Sequence, residues 1–168
     1  MEETLLTIRT TGYSKDGEMY TSGEVLEEGK VTLWWTARNG KGDSVLAKYT
    51  ALYNALATLE TTTNLTRSTI ILIDSQAVIR QLSGMWKVHR EDVKCLLNLI
   101  AIICMKASEK GTSIYLRWAS RKTFKEMYEG LRRYADSRQR CNETDPNISA
   151  RENFSNRYGD EGAGSLSA

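Results

Sequence analysis

A single carboxylate stands where a buried strand should end. The run Thr69-Ile70-Ile71-Leu72-Ile73-Asp74-Ser75-Gln76 places four consecutive large aliphatic residues directly before Asp74. Such a run, mostly β-branched and bounded by polar residues, predicts a strand buried on both faces, the kind found inside parallel sheets. Ligands and reacting groups gather at the carboxyl ends of these strands, where the strand order reverses. Asp74 is therefore the first candidate for a catalytic carboxylate, and its use depends on its company. Lys48 is the second charged group of interest. It lies three and four residues before Ala51 and Leu52, beside the inward stripe of a predicted helix, so its ammonium is carried close to the sheet unless it snorkels to solvent along its own stem. The third feature is a concentration of cations. Residues 105–140 hold ten Lys/Arg and four Asp/Glu, a local charge of +6, whereas residues 1–47 hold five and eight and residues 141–168 come to −3. A basic segment of this size is either an electrostatic footprint for nucleic acid or a solvated helix face. A zinc site is not expected, because His89 is the only histidine and Cys95, Cys104 and Cys141 lack ligand spacing.

These groups need elements to hold them. With 168 residues and 40% apolar composition, the chain suits one domain with a true core. Its longest apolar run, Cys95 to Met105 broken only by Asn98, is shorter than the roughly 18–20 residues that span a bilayer. It reads as a helix sandwiched inside the domain, and no membrane partner is expected. Met1-Glu2-Glu3 opens no basic-then-apolar leader, so the expected location is intracellular, cytoplasmic or nuclear. Leu5–Thr11 alternates as a first strand, and Gly12 with the Ser14-Lys15-Asp16-Gly17 cluster then turns the chain; Glu18–Glu27 and Val31–Ala37 follow, with turns at Glu28-Gly29-Lys30 and Asn39-Gly40-Lys41-Gly42. Three strands joined this way predict an antiparallel meander. Asp43 or Ser44 can cap the next helix, whose inward stripe is Val45, Tyr49, Leu52, Leu56 and Leu59, and Thr61–Arg67 forms the loop to the buried strand. Ser75–Leu82 is a short helix stopped at Gly84, and Glu91 and Asp92 favour the start of the apolar helix. Ile114, Leu116 and Trp118 alternate as a fifth strand. Phe124, Met127, Tyr128, Leu131 and Tyr134 mark a last amphipathic helix, weakened by Gly130 by up to about 1 kcal/mol. The domain is expected to span residues 1–140, followed by a disordered tail over residues 141–168.

This order of elements resembles the ribonuclease H fold. Tyr49-Thr50-Ala51-Leu52-Tyr53-Asn54-Ala55-Leu56 looks like the first helix of that family, and Ile71-Leu72-Ile73-Asp74-Ser75-Gln76 with Ile79 and Gln81-Leu82-Ser83-Gly84 looks like its fourth strand and following helix. Met85-Trp86-Lys87-Val88 then runs directly into the next helix, as in members that lack the basic handle, and Tyr134-Ala135-Asp136 is similar to the motif of the last catalytic aspartate. The resemblance implies an α/β fold with a five-stranded mixed sheet, a three-strand antiparallel meander plus parallel strands, flanked by helices. It also permits an origin in a reverse transcriptase. Family chemistry uses a carboxylate cluster that holds two divalent cations, which activate water and stabilise the leaving oxygen of a phosphodiester. Asp74 and Asp136 match two of those carboxylates. Within Ile8-Arg9-Thr10-Thr11-Gly12, Thr10 is read at the place of the first-strand aspartate, and Lys48 stands where the family has a first-helix glutamate. Exchanging a ligand anion for a cation turns attraction for Mg²⁺ into partial repulsion.

The expectation is therefore a non-catalytic ribonuclease H-like module in which Lys48 pairs with Asp74 in place of a metal, with no cofactor. It would bind nucleic acid, RNA or an RNA·DNA hybrid, through Arg117, Arg121, Lys122, Lys125, Arg132 and Arg133. Trp34, Trp35, Trp86 and Trp118 are candidates for stacking or packing, at least two of them in the core. Two alternatives stay open. One is an active hybrid ribonuclease in which Glu126 or Glu129 joins Asp74 and Asp136 around Mg²⁺ or Mn²⁺. The other is a protein-interaction or self-assembly domain that uses a sheet edge or the apolar helix.

Overall fold

The computed structural model describes residues 5–144 and 163–165, with side chains through residue 140. Two tight hairpins start the fold. Asp16 and Gly17 have φ of 51° and 77°, and Glu28 and Gly29 have 50° and 77°, so each pair makes a two-residue turn whose twist matches that of its strands. The strands they join are β1 (Leu6–Lys15), β2 (Glu18–Glu27) and β3 (Lys30–Lys41). Next come α1 (Ser44–Thr63), β4 (Thr69–Ile73), α2 (Gln76–Leu82), α3 (Glu91–Glu109) and β5 (Ile114–Trp118). A 3₁₀ turn at Arg121–Phe124 leads into α4 (Lys125–Thr144), and a short β6 (Ala163–Ser165) completes the described chain. The sheet order is β5-β4-β1-β2-β3-β6. Strands β1, β2 and β3 are antiparallel, and β1, β4 and β5 are parallel, as expected for the mixed sheet. The segment 141–168, expected to be disordered, contributes the end of α4 and the β6 residues that pair with Leu33, Trp34 and Trp35. Residues 145–162 and 166–168 of that segment lie outside the described residues.

Asp43 caps α1 as expected, its carboxylate accepting from the Leu46 N–H at 3.0 Å. The helix runs past the expected end at Thr61 to Thr63, and the hydroxyls of Thr61, Thr62 and Thr63 find acceptors in carbonyls one turn earlier. Tyr49, Leu52, Leu56 and Leu59 are buried with Leu6, Ile8, Ile71, Ile73 and the inner side of α3, whereas Val45 at the first turn is exposed. On the opposite face of the sheet, Leu131 and Ala135 of α4 pack with Tyr20.

Two expectations are corrected by packing. First, of the turn expected over Gly12 and Ser14-Lys15-Asp16-Gly17, only Asp16-Gly17 turns the chain; β1 runs on through Gly12 to Lys15. Gly12 is instead the point where β1 presses on α1, since a Cβ there would stand 2.1 Å from the Ala47 carbonyl oxygen. Gly12→Ala should destabilise the fold by about 1–3 kcal/mol, the usual cost of overpacking, seen as a lower urea midpoint with an unchanged slope. Second, α3 is not sandwiched. It buries Val93, Ile100, Ile103 and Ala107, while Leu99, Ile102 and Met105 are exposed, because only one layer covers it. No described helix is long and apolar enough to cross a membrane.

Candidate functional site

Parallel pairing of β1 with β4 sets the register Thr10↔Ile73, so the next residues, Thr11 and Asp74, meet just past the end of β4. There β1 continues beside β2 alone, its β4 edge left open, and the starts of α1 and α4 converge on that edge. The Asp74 side chain is only 3% exposed and that of Lys48 17%. The Lys48 ammonium donates to Asp74 Oδ2 at 2.8 Å and Oδ1 at 2.9 Å, to the Tyr128 hydroxyl at 2.8 Å and to Thr11 Oγ1 at 3.0 Å. The Thr11 hydroxyl in turn donates to Asp74 Oδ1 at 3.1 Å, and the Tyr128 hydroxyl donates to the Gly12 carbonyl at 3.3 Å. An ammonium has three protons, and here four acceptors surround it. The result is a closed, internally neutralised cluster of Thr11, Lys48, Asp74 and Tyr128.

The expected meeting of Lys48 and Asp74 is present. Thr10 is not part of it. Side chains alternate along a strand, and the Thr10 hydroxyl turns to the other face, where it donates to the carbonyls of Ser22 and Ala51. The hydroxyl in the site belongs to Thr11, directly before Gly12. Asp136 is also absent from the cluster. It pairs with Lys15, which holds its carboxyl below the usual range while Asp136 raises the Lys15 ammonium. The α4 residue that reaches Asp74's neighbourhood is Tyr128, roughly two helical turns earlier. Reading the sequence placed Tyr128 in the apolar stripe, and its ring does pack there; only the hydroxyl gave it a second use.

Two divalent cations need several anionic oxygens. Among the described residues no group of three His, Cys, Asp or Glu side chains gathers, and Glu126 and Glu129 are exposed on α4. One carboxylate already bonded to an ammonium does not fit such a pair of ions.

The six basic candidates are all exposed. Arg117 lies on β5, Arg121 and Lys122 in the 3₁₀ turn, and Lys125, Arg132 and Arg133 on α4. The Arg121 guanidinium stands 4.6 Å from the Tyr128 ring centroid, and Arg132 stands 5.9 Å from that of Tyr13. Tyr128 thus links the buried cluster to the basic surface. Arg117, Lys122, Lys125 and Arg133 make no ion pair among the described residues. Of the tryptophans, only Trp35 packs against the core, fewer than expected; Trp34, Trp86 and Trp118 are exposed, and Arg80 stacks 4.9 Å from Trp86.

No protein-family model matches the sequence, and no curated protein matches it. Solved structures do. LC11-RNase H1, isolated from compost by a metagenomic approach, matches with a TM-score of 0.71 at 21% identity over 81% of this chain and 99% of that one. The chain has a ribonuclease H-like fold. LC11-RNase H1 in complex with an RNA/DNA hybrid matches it at TM-score 0.63 and 21% identity, covering 70% of this chain and 87% of that one. RNase H1 from the halophilic archaeon Halobacterium salinarum NRC-1 matches at TM-score 0.64 and 17% identity, with the same coverage of 70% and 87%. Within this ribonuclease H-like fold, the Asp74 cluster occupies the carboxyl end of the central parallel strands, with an ammonium at its centre.

Proposed function

We propose that this chain is a non-catalytic ribonuclease H-like module that binds nucleic acid, RNA or an RNA·DNA hybrid. The observation that carries the reading is the Lys48 ammonium bonded to both oxygens of Asp74 in a nearly closed site. A cation built into the fold opposes a divalent ion at the same place, and without such ions the attack of water on a phosphodiester loses its main electrostatic support. The binding half of the reading rests on exposed cations without carboxylate partners, which remain available to phosphates. The complex of LC11-RNase H1 with a hybrid supports the same choice of ligand.

A titration of labelled hybrid, duplex RNA and single-stranded RNA across a salt series tests the reading. Log affinity should fall linearly with log salt, and the slope on a duplex should shrink by about 0.9 for each phosphate contact removed by Lys122→Gln, Lys125→Gln or Arg133→Gln. A flat salt response would remove the nucleic-acid half of the proposal. Hybrid cleavage in Mg²⁺ or Mn²⁺ that disappears in Asp74→Asn would remove the non-catalytic half.

A further inference from the structure

Where the start of α4 passes over the outer face of the sheet, it leaves an open cleft of about 840 Å³. Strand register builds its floor. Arg9 pairs with Glu24 across β1 and β2, and Glu24 with Trp34 across β2 and β3, so an ion pair lies in line with an indole. The Arg9–Glu24 contact is 2.5 Å, and the Arg9 Nε is buried without a partner. The opposite wall carries Lys122, Lys125 and Gly130, with one carboxylate, Glu126, beside the two ammonium groups. None of Thr11, Lys48, Asp74 or Tyr128 lines this cleft, so it is separate from the locked cluster.

Three features of the cleft lack a structural reason. Trp34 is 40% exposed, although its neighbour Trp35 packs on the core side of the same strand. Gly130 sits inside a helix, where glycine is the poorest former after proline. Its φ is not positive, and a Cβ there would meet no atom within 4 Å, so neither backbone nor packing demands a glycine. What its missing side chain does is keep the wall of the cleft bare. Lys122 and Lys125, at the lip, have no ion-pair partner among the described residues.

An aromatic plane, a hydrogen-bonding ion pair beside it and two free ammonium groups above it match the parts of a nucleotide. We infer that this cleft holds one unpaired nucleotide, its base stacked on Trp34, its polar edge toward Arg9 and Glu24, and its phosphate at Lys122 and Lys125. The volume is ample for a guest of this size. The inference deepens the proposed nucleic-acid reading and rests on it. The nucleotide can come from the single-stranded end of a longer strand or from a free mononucleotide.

The test compares a blunt hybrid with the same hybrid carrying a single-stranded overhang, alongside titration with AMP and UMP, in the wild type, Trp34→Ala and Gly130→Met. In the wild type the overhang should tighten binding by about five- to 150-fold, the usual range for one stacked base. Trp34→Ala should lose that gain. Gly130→Met fills the cleft with a better helix former, so it should keep or raise the melting temperature, keep blunt-hybrid affinity and abolish the overhang gain. Mononucleotide binding that Gly130→Met removes, with no overhang gain, assigns the cleft to a free nucleotide. Equal affinity for blunt and overhang hybrids with no mononucleotide binding, or a gain that survives Gly130→Met, overturns the cleft while leaving the nucleic-acid reading in place. Failure of the wild type to bind either hybrid overturns both.

Discussion

Lys48→Met is expected to destabilise the fold by about 3–5 kcal/mol, the penalty for leaving a buried charge without its partner. Asp74 is almost fully enclosed, and after the substitution only the Thr11 hydroxyl would still bond to its carboxylate among the present partners. The carboxylate must then stay charged in a poorly solvating site or take up a proton, and both cost free energy. The reverse change should be milder. In Asp74→Asn the ammonium keeps the Thr11 and Tyr128 oxygens, and its stem lets it move toward solvent. The double variant Lys48→Met/Asp74→Leu removes both charges together and should recover most of the loss, since buried pairs are often replaceable by apolar residues at little cost. Urea unfolding of the four proteins in a double-mutant cycle measures the coupling. A loss below about 1 kcal/mol for Lys48→Met would place the pair among solvated surface bridges and remove its structural role.

The parts of this site that could be read from the sequence are those for which a residue had only one physical use. Four consecutive β-branched or large aliphatic residues before Asp74 admit little besides a buried strand, and β4 is where they predict it. Lys48 is a mixed case: beside the inward stripe of α1 it can pair with an anion or snorkel to solvent, and Asp74 is the anion within reach at the sheet. Legibility fails where a residue has two uses. Gly12 signals a turn as well as it signals a close backbone approach, and only the position of Ala47 across the core distinguishes them. Tyr128 satisfies an apolar stripe with its ring and the polar cluster with its hydroxyl. The Tyr134-Ala135-Asp136 motif gives a local pattern, but which turn of α4 faces β1 is fixed by long-range contacts such as Asp136 with Lys15 and Tyr128 with Tyr13. Thr10 and Thr11 show how sharp this limit is, because a shift of one residue moves a side chain to the other face of the sheet. For α3, periodicity reports apolar positions and not the number of layers that will cover them.

Thr11→Asp combined with Lys48→Glu should convert the locked cluster into a cation site that metal stabilises, a response not expected of the wild type. Both side chains already contact Asp74, so the double variant gathers three carboxylates where the wild type has one. The formal charge of the trio changes from zero, with Lys48 balancing Asp74, to minus three. Without a cation, mutual repulsion should lower the melting temperature well below that of the wild type. Added Mn²⁺ or Mg²⁺ should reverse the loss, because a ligand bound only by the folded state contributes about 2.7 kcal/mol at one hundred times its dissociation constant. Tyr128 contributes only its hydroxyl at the edge of the cluster, so the added anions are the introduced carboxylates. Thermal melts with and without MnCl₂, reversed by EDTA, read the stability, and calorimetry reads the stoichiometry. A folded double variant with no metal-dependent shift would mean that Thr11, Lys48 and Asp74 do not converge as described. Stoichiometric binding of two ions by the wild type would mean that Lys48 yields to metal instead of replacing it. The two outcomes separate the geometry of the site from the role of its lysine.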